Sequence, residues 1–314
     1  MEFLELLALI RNPVLNTIMQ VITYLGEETV FMLTALIVFW CISKKHGYYL
    51  LITGFFGTFL CQFLKLLCRI PRPWLLKPGF HAVDSALSGA EGYSFPSGHA
   101  QNAVGTFGGI ARFTKKAWVR WVCIALALLI SFSRMYLGVH TPLDVGVGFG
   151  VALVFLLVLY PILERIDEKP AIMYILSGVM IVCSLAYLCY ATFLISPDEF
   201  DADSIDNYRH GVENSWKLFG ALLTLPLVYT LDLKKIRFRE EAPLLGQILK
   251  VVLGLLCVLA IKEGLKPVLG AVFGDSVPFA DALRYFLLVM FAACVWPMTF
   301  PIFQKIGKKS AKTC

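Results

Sequence analysis

Residues 133–144 read Ser133-Arg134-Met135-Tyr136-Leu137-Gly138-Val139-His140-Thr141-Pro142-Leu143-Asp144, with an imidazole, a guanidinium and a carboxylate close together in the chain. Thr141 has the chemistry of a helix N-cap and Pro142 that of a first helical residue. His140 then sits just outside a helix and Asp144 in its first turn, within reach. A carboxylate on one imidazole nitrogen fixes the tautomer and leaves the other nitrogen free to attack an electrophile. Arg134, on the same side, is suited to hold phosphate oxygens. The plainer alternative is a buried His–Asp hydrogen bond that only joins two helices.

Two further clusters carry related chemistry. In Tyr93-Ser94-Phe95-Pro96-Ser97-Gly98-His99, a proline followed by Ser and Gly makes a helix N-terminus whose backbone N–H groups, at Ser97 and Gly98, attract an anion. Gly98 also lets a phosphate oxygen approach the backbone. The same residues would equally make an ordinary capped helix with His99 at a membrane interface. In Lys65-Leu66-Leu67-Cys68-Arg69-Ile70-Pro71-Arg72-Pro73, Lys65 and Arg72 could offer an ammonium and a planar guanidinium to one phosphate, while Pro71 and Pro73 stop the helix. Snorkelling side chains at a helix end are the alternative there.

The elements that must position these groups are transmembrane. The 314 residues are 58% hydrophobic and 16% charged, with mean hydropathy +0.73, so they carry more apolar surface than one soluble core can hide. Charges fall in short clusters between apolar runs of about twenty residues, enough to cross roughly 30 Å of hydrocarbon. This predicts an all-α polytopic membrane helical bundle of about nine spans: 26–43, 48–68, 97–112, 118–135, 142–163, 171–195, 214–232, 245–262 and 283–304. Residues 1–25 read as one amphipathic interfacial helix, with a tenth span as the alternative, and as a poor signal peptide, lacking a basic start and a small-residue cleavage site.

Basic residues in short loops stay cytoplasmic. Lys44 and Lys45, then Arg112, Lys115, Lys116 and Arg120, then Arg165 and Lys169, then Lys234, Lys235, Arg237 and Arg239, then Lys305, Lys308, Lys309 and Lys312 mark the inner loops. The acidic loop with Asp198, Glu199, Asp201, Asp203 and Asp206, and the loop around Asp275 and Asp281, lie outside, with an outer N-terminus and a cytoplasmic C-terminus. The net charge of +6 is thereby explained by topology and anionic lipid, with no nucleic-acid partner. Cys41, Cys61, Cys68, Cys123, Cys183, Cys189, Cys257 and Cys294 fall in or beside spans as small hydrophobes, and Cys314 in a tail. Their spacing suggests neither a zinc site nor a redox dithiol, so no metal or cofactor is expected.

This topology sets all three clusters on the extracytoplasmic face. Together they supply Lys65, Arg72 and Arg134 as cations, backbone N–H groups at Ser97 and Gly98, two histidines and a carboxylate. Ionisable groups at membrane depth point to function, and this set suffices for phosphoryl transfer in which cations and backbone dipoles stabilise charge without a metal.

At these residues the chain resembles the type-2 phosphatidic-acid phosphatase superfamily, which includes vanadium haloperoxidases and glucose-6-phosphatase. The family pattern K-x6-RP, PSGH, SR-x5-H-x3-D is matched by Lys65, Arg72 and Pro73; by Pro96, Ser97, Gly98 and His99; and by Ser133, Arg134, His140 and Asp144. The resemblance implies a six-helix phosphatase core over 26–195; the C-terminal extension, 196–314, with about three of the hydropathy-predicted spans, lies outside the shared motifs. It implies His140 as nucleophile, Asp144 as its orienting partner, His99 as general acid, and Lys65, Arg72, Ser97, Gly98 and Arg134 as phosphate ligands.

A site at the bilayer surface suits a lipid-like phosphate monoester or diphosphate, such as a phosphatidate, phosphatidylglycerol phosphate, sphingoid phosphate or polyprenyl diphosphate. A phosphotransferase, a sugar-phosphate phosphatase and a lipid transporter are the alternatives. Lys250, Lys262, Glu263 and Lys266 encourage the last, although the lysines read as snorkelling from helix ends. The segment 75–92 is either a specificity loop or a linker. The acidic loop 198–206 is a solvated loop, a partner site or a lid.

Overall fold

Asn12 ends the first helix and begins the second: its side chain accepts from Leu15 N at 3.0 Å, and Pro13 takes the first helical position. Residues 1–25 therefore form two helices, α1 (Glu2–Leu9) and α2 (Pro13–Tyr24), where one had been expected, because a residue before proline is driven out of the helical region. The computed structural model describes residues 1–201, 204–274 and 278–306. The expectations placed on Asp203, Asp275, Lys308, Lys309, Lys312 and Cys314 lie outside the described residues.

The chain continues through α3 (Glu28–Cys41), α4 (Lys44–Cys68), α5 (Pro73–Leu76), α6 (Gly98–Ala103), α7 (Gly109–Phe113), α8 (Ala117–Tyr136) and α9 (Pro142–Leu163). It ends with α10 (Ala171–Cys189), α11 (Ile205–Leu223), α12 (Leu225–Leu231), α13 (Leu244–Phe273), α14 (Pro278–Met290) and α15 (Phe300–Phe303). Among the described residues there is no strand. Among the described residues seven helical stretches are long and apolar enough to cross a membrane, or eight if α2 and α3, which meet at a 46° bend, form one span. The protein is a polytopic helical membrane protein. The count differs from nine at two places. The segment 26–43 holds only the 14-residue α3. The segment 97–112 is α6, a wide turn over Val104–Gly108 and α7, together short of the roughly 20 residues a crossing needs.

Two units make up the chain. The first comprises Met1–Thr34, Tyr49–Glu164 and Ala186–Ser215 and holds all three motifs. Within it α6 packs between α8 and α9, and α1 and α2 pack on α8. The contact of α6 with α9 is close enough that a Cβ on Gly148 would strike the Ser97 carbonyl oxygen. Arg11 ties the α1–α2 corner to the end of α8, donating from Nε to Tyr136 O at 2.9 Å. On the outer faces Leu6, Leu9, Val14 and Val21 are exposed, as suits lipid contact.

The second unit comprises Ala35–Tyr48, Arg165–Leu185 and Trp216–Cys314. An aromatic core joins Phe39, Tyr48, Phe238 and Phe300 edge to face. Lys44 donates twice to Asp232, at 2.9 and 2.7 Å. Lys250 corrects the snorkelling expectation: it is fully buried and donates to Trp40 O at 2.9 Å and Glu240 O at 2.8 Å. The Trp40 carbonyl, in the last turn of α3, and that of Glu240, in the stretch before α13, satisfy the ammonium inside the protein. Lys262 is half-buried and Lys266 exposed. Cys68 is likewise exposed, whereas Cys61, Cys123 and Cys294 are buried.

Candidate active site

The turn between α8 and α9 places His140. Gly138, at φ +78°, takes the left-handed conformation, and a Cβ there would meet Arg11 Nη2 and the Phe80 ring. The turn then closes on one acceptor, Arg134 O, which receives Val139 N at 3.1 Å and His140 N at 3.3 Å. Thr141 and Asp144 form a reciprocal capping box at the start of α9: Thr141 N donates to Asp144 Oδ2 at 2.7 Å, and Asp144 N to Thr141 Oγ1 at 3.3 Å. The same carboxylate oxygen stands 3.7 Å from His140 Nδ1, and both side chains are 2% exposed.

Arg72 approaches the other ring nitrogen. Helix α4 ends where Arg69 turns left-handed at φ 49°, and Pro71 and Pro73 redirect the chain. Arg72 is 5% exposed and held by a ring of carbonyls: Nε donates to Gly92 O at 2.9 Å, Nη2 to Glu91 O at 2.5 Å and Nη1 to Val139 O at 3.1 Å. Its Nη1 also lies 2.9 Å from His140 Nε2. A guanidinium has donors only, so Nε2 presents its lone pair and the ring proton belongs on Nδ1, toward Asp144. Burial foremost, then the charges of Arg72, Arg134, Lys65 and His99, hold His140 well below the usual histidine range, favouring the neutral ring.

Ser97 N-caps α6, its Oγ accepting from Ala100 N at 3.4 Å. Its own N–H, expected to be open to an anion, is engaged by Asp144 O at 2.9 Å, a bond between α6 and α9 that local sequence does not reveal. The N–H groups of Gly98 and His99, in the first turn of α6, have no intrahelical acceptor and remain available. Lys65 donates to Tyr93 O. Arg134 is 1% exposed and donates from Nη1 to Thr23 Oγ1 at 2.9 Å. Its Nε and Nη2 are buried and without a hydrogen-bond partner among the described residues, an arrangement that an anion would relieve.

Lys65, Arg72, Gly98, His99 and His140 line a cavity of about 170 Å³, with Tyr93 and Glu91 on its wall, whereas Arg134 and Ser97 are not among its lining residues. Asp144 stands behind His140. Ser94 joins the expected residues: it is fully buried, and its Oγ donates to Asp144 Oδ2 at 2.6 Å and lies 3.5 Å from His140 Nδ1. Its signal in the sequence is only its place three residues before Ser97, in a stretch already marked by Pro96.

Known proteins share these features. The profile of the PAP2 superfamily matches residues 45–168, and that of the PAP2 superfamily phosphatase transmembrane extension matches 216–309. Phosphatidylglycerophosphatase B of Bacillus subtilis (strain 168) is 32% identical over 175 residues, 51% of this chain and 79% of the relative. The undecaprenyl-diphosphatase BcrC of the same organism is 32% identical over 145 residues, 46% of this chain and 72% of its own. An undecaprenyl-diphosphatase of Sulfolobus acidocaldarius is 30% identical over 149 residues, 47% of this chain and 70% of its own. With its motifs gathered around one cavity and its apolar helices, this chain belongs to the PAP2 superfamily and is an integral-membrane hydrolase of phosphoric esters or diphosphates.

Proposed function

We propose that the protein removes phosphate from a lipid-like phosphate monoester or diphosphate through a phosphohistidine on His140. The observation that carries this reading is the pairing at the imidazole: Arg72 Nη1 at 2.9 Å from Nε2, and Asp144 Oδ2 at 3.7 Å from Nδ1. One nitrogen is thereby the nucleophile, beside a cation that can turn to the phosphate it attacks. The other faces a carboxylate able to stabilise the imidazolium.

In the first step the Nε2 lone pair forms a bond to phosphorus as the bond to the leaving oxygen breaks, and His99 gives that oxygen its proton. In the second, His99 takes a proton from water, the water oxygen bonds to phosphorus, and the P–N electron pair returns to Nε2. Lys65, Arg72, Arg134 and the N–H groups of Gly98 and His99 balance the charge on the equatorial oxygens, the task a metal ion performs in other phosphatases. Ser97 serves by fixing α6 against α9. The basic loops favour an extracytoplasmic site. The relatives' names, a phosphatidylglycerophosphatase and undecaprenyl-diphosphatases, support a lipid carrying a phosphate or diphosphate.

The test is phosphate release by purified protein from a panel of lipid phosphates, diphosphates and sugar phosphates, with no acceptor but water. His140→Ala is expected to abolish release, orthovanadate to compete with substrate, and chelators to leave the rate intact. Undiminished turnover by the alanine variant, or strict dependence on magnesium, would sink the mechanism.

A further inference from the structure

The cavity has a second wall that the mechanism does not use. Asn207 and His210, on the opening turns of α11, line it together with Glu27, Glu28, Glu91 and Asn102. This stretch of α11 lies beyond the matched residues 45–168, yet it belongs to the same unit as the motifs. Several contacts hold it there. Arg69 Nη2 pairs with Glu199 Oε2 at 3.0 Å, and the Arg69 guanidinium lies 4.5 Å from the centre of the Phe200 ring, which stacks on Tyr208 at 4.8 Å. His210 Nε2 meets Glu91 Oε2 at 3.3 Å, and Tyr187 Oη donates to Gly211 O at 2.9 Å.

The chemistry of this wall differs from that of the phosphate cradle. Where Lys65 and Arg72 present positive charge and donors, the second wall presents three carboxylates, two amides and an imidazole. Asn102 is 8% exposed, and its buried Oδ1 has no hydrogen-bond partner among the described residues. A hydrocarbon chain placed directly after the phosphate would strip water from these groups and return nothing. A leaving alcohol with its own donors would satisfy them. Sites built to hydrogen-bond a substrate group reject analogues that lack it.

We infer that Asn207 and His210, with Asn102 and Glu91, form a leaving-group subsite that selects phosphoesters bearing a hydroxyl or ammonium group close to the ester oxygen. This rests on the reading of the cavity as the phosphatase site. It assigns a specificity role to the start of α11, outside the matched catalytic region.

The experiment compares kcat/KM for three probes in detergent micelles: 1-acylglycerol 3-phosphate, with a hydroxyl beside the ester; sphingosine 1-phosphate, with an ammonium; and dodecyl phosphate, with neither. The wild-type protein is expected to favour at least one donor-bearing probe over dodecyl phosphate by tenfold or more. Asn207→Ala and His210→Ala should each lower that preference by about tenfold, the effect of one lost hydrogen bond, while vanadate inhibition persists. Should an alanine variant lose vanadate inhibition through misfolding, Asn207→Ser or His210→Gln replaces it, with a weakened preference again expected. Equal use of all three probes by the wild type, or variants that lower all three rates in proportion, overturns the inference. Release of phosphate from no phosphorylated lipid at all would overturn the phosphatase reading itself, a different failure.

Discussion

Replacing Asp144 by Asn tests whether the carboxylate acts by its charge or only by its hydrogen bonds. The substitution keeps the shape of the side chain and an oxygen able to accept from Thr141 N and Ser94 Oγ, now 2.7 and 2.6 Å away. What it removes is the negative charge 3.7 Å from His140 Nδ1, in a pair whose side chains are 2% exposed and so little screened by solvent. At that distance, with an effective dielectric constant of about 20, a charge pair is worth about 4 kcal/mol. On the proposed mechanism the pair reaches that strength only once His140 becomes an imidazolium, on the way to the phosphohistidine. The loss should therefore fall on kcat, by roughly a thousandfold, rather than on KM or vanadate affinity, which depend on the cationic cradle. Stability should fall far less, by about 1 kcal/mol, because the N-cap bonds survive in neutral form. Steady-state kinetics with vanadate inhibition separate these effects, and thermal unfolding in detergent checks the last. A kcat within tenfold of the wild type would refute the electrostatic role, and a matching collapse of vanadate affinity would show that Asp144 only holds the fold.

Two further outcomes follow from the same geometry. Ser94→Ala leaves Asp144 with its Thr141 bond but without the 2.6 Å hydroxyl donor, so kcat should drop by about tenfold with KM little changed; an unaltered kcat would remove Ser94 from the catalytic assembly. The pH profile tests the state of His140. Because its pKa is lowered, the ring stays neutral until the pH falls below the ordinary value of 6.5, and protonation then removes the attacking lone pair. The acid limb of kcat/KM should thus lie below pH 6.5, and a limb at or above 6.5 assigned to this group would contradict the neutral buried ring.

What could be read in the amino-acid order was whatever the chain decides locally. Thr141-Pro142-Leu143-Asp144 carries its own N-cap, first helical residue and capping carboxylate within one turn, so the relation of Asp144 to His140 was legible before any fold was known. The end of α4 was legible for the same reason, since Pro71 and Pro73 act on their nearest neighbours. Hydropathy, in contrast, counts apolar residues and does not see where a helix breaks. It therefore counted 26–43 and 97–112 as full spans, although α3 holds 14 residues and the second stretch is also short.

Bonds between distant segments leave no local trace. The Ser97 N–H looked open in the sequence because its acceptor, Asp144 O, comes 47 residues later. Arg72 looked like a free phosphate ligand, whereas the carbonyls of Glu91, Gly92 and Val139 clamp it against His140. That clamp has a consequence for the proposed reaction: Arg72 Nη1 covers the Nε2 lone pair, so attack through that nitrogen requires phosphate to draw Nη1 away. The carbonyl ring holds Arg72 so that, on the proposed mechanism, the cation covering the neutral ring nitrogen already stands beside the incoming phosphate.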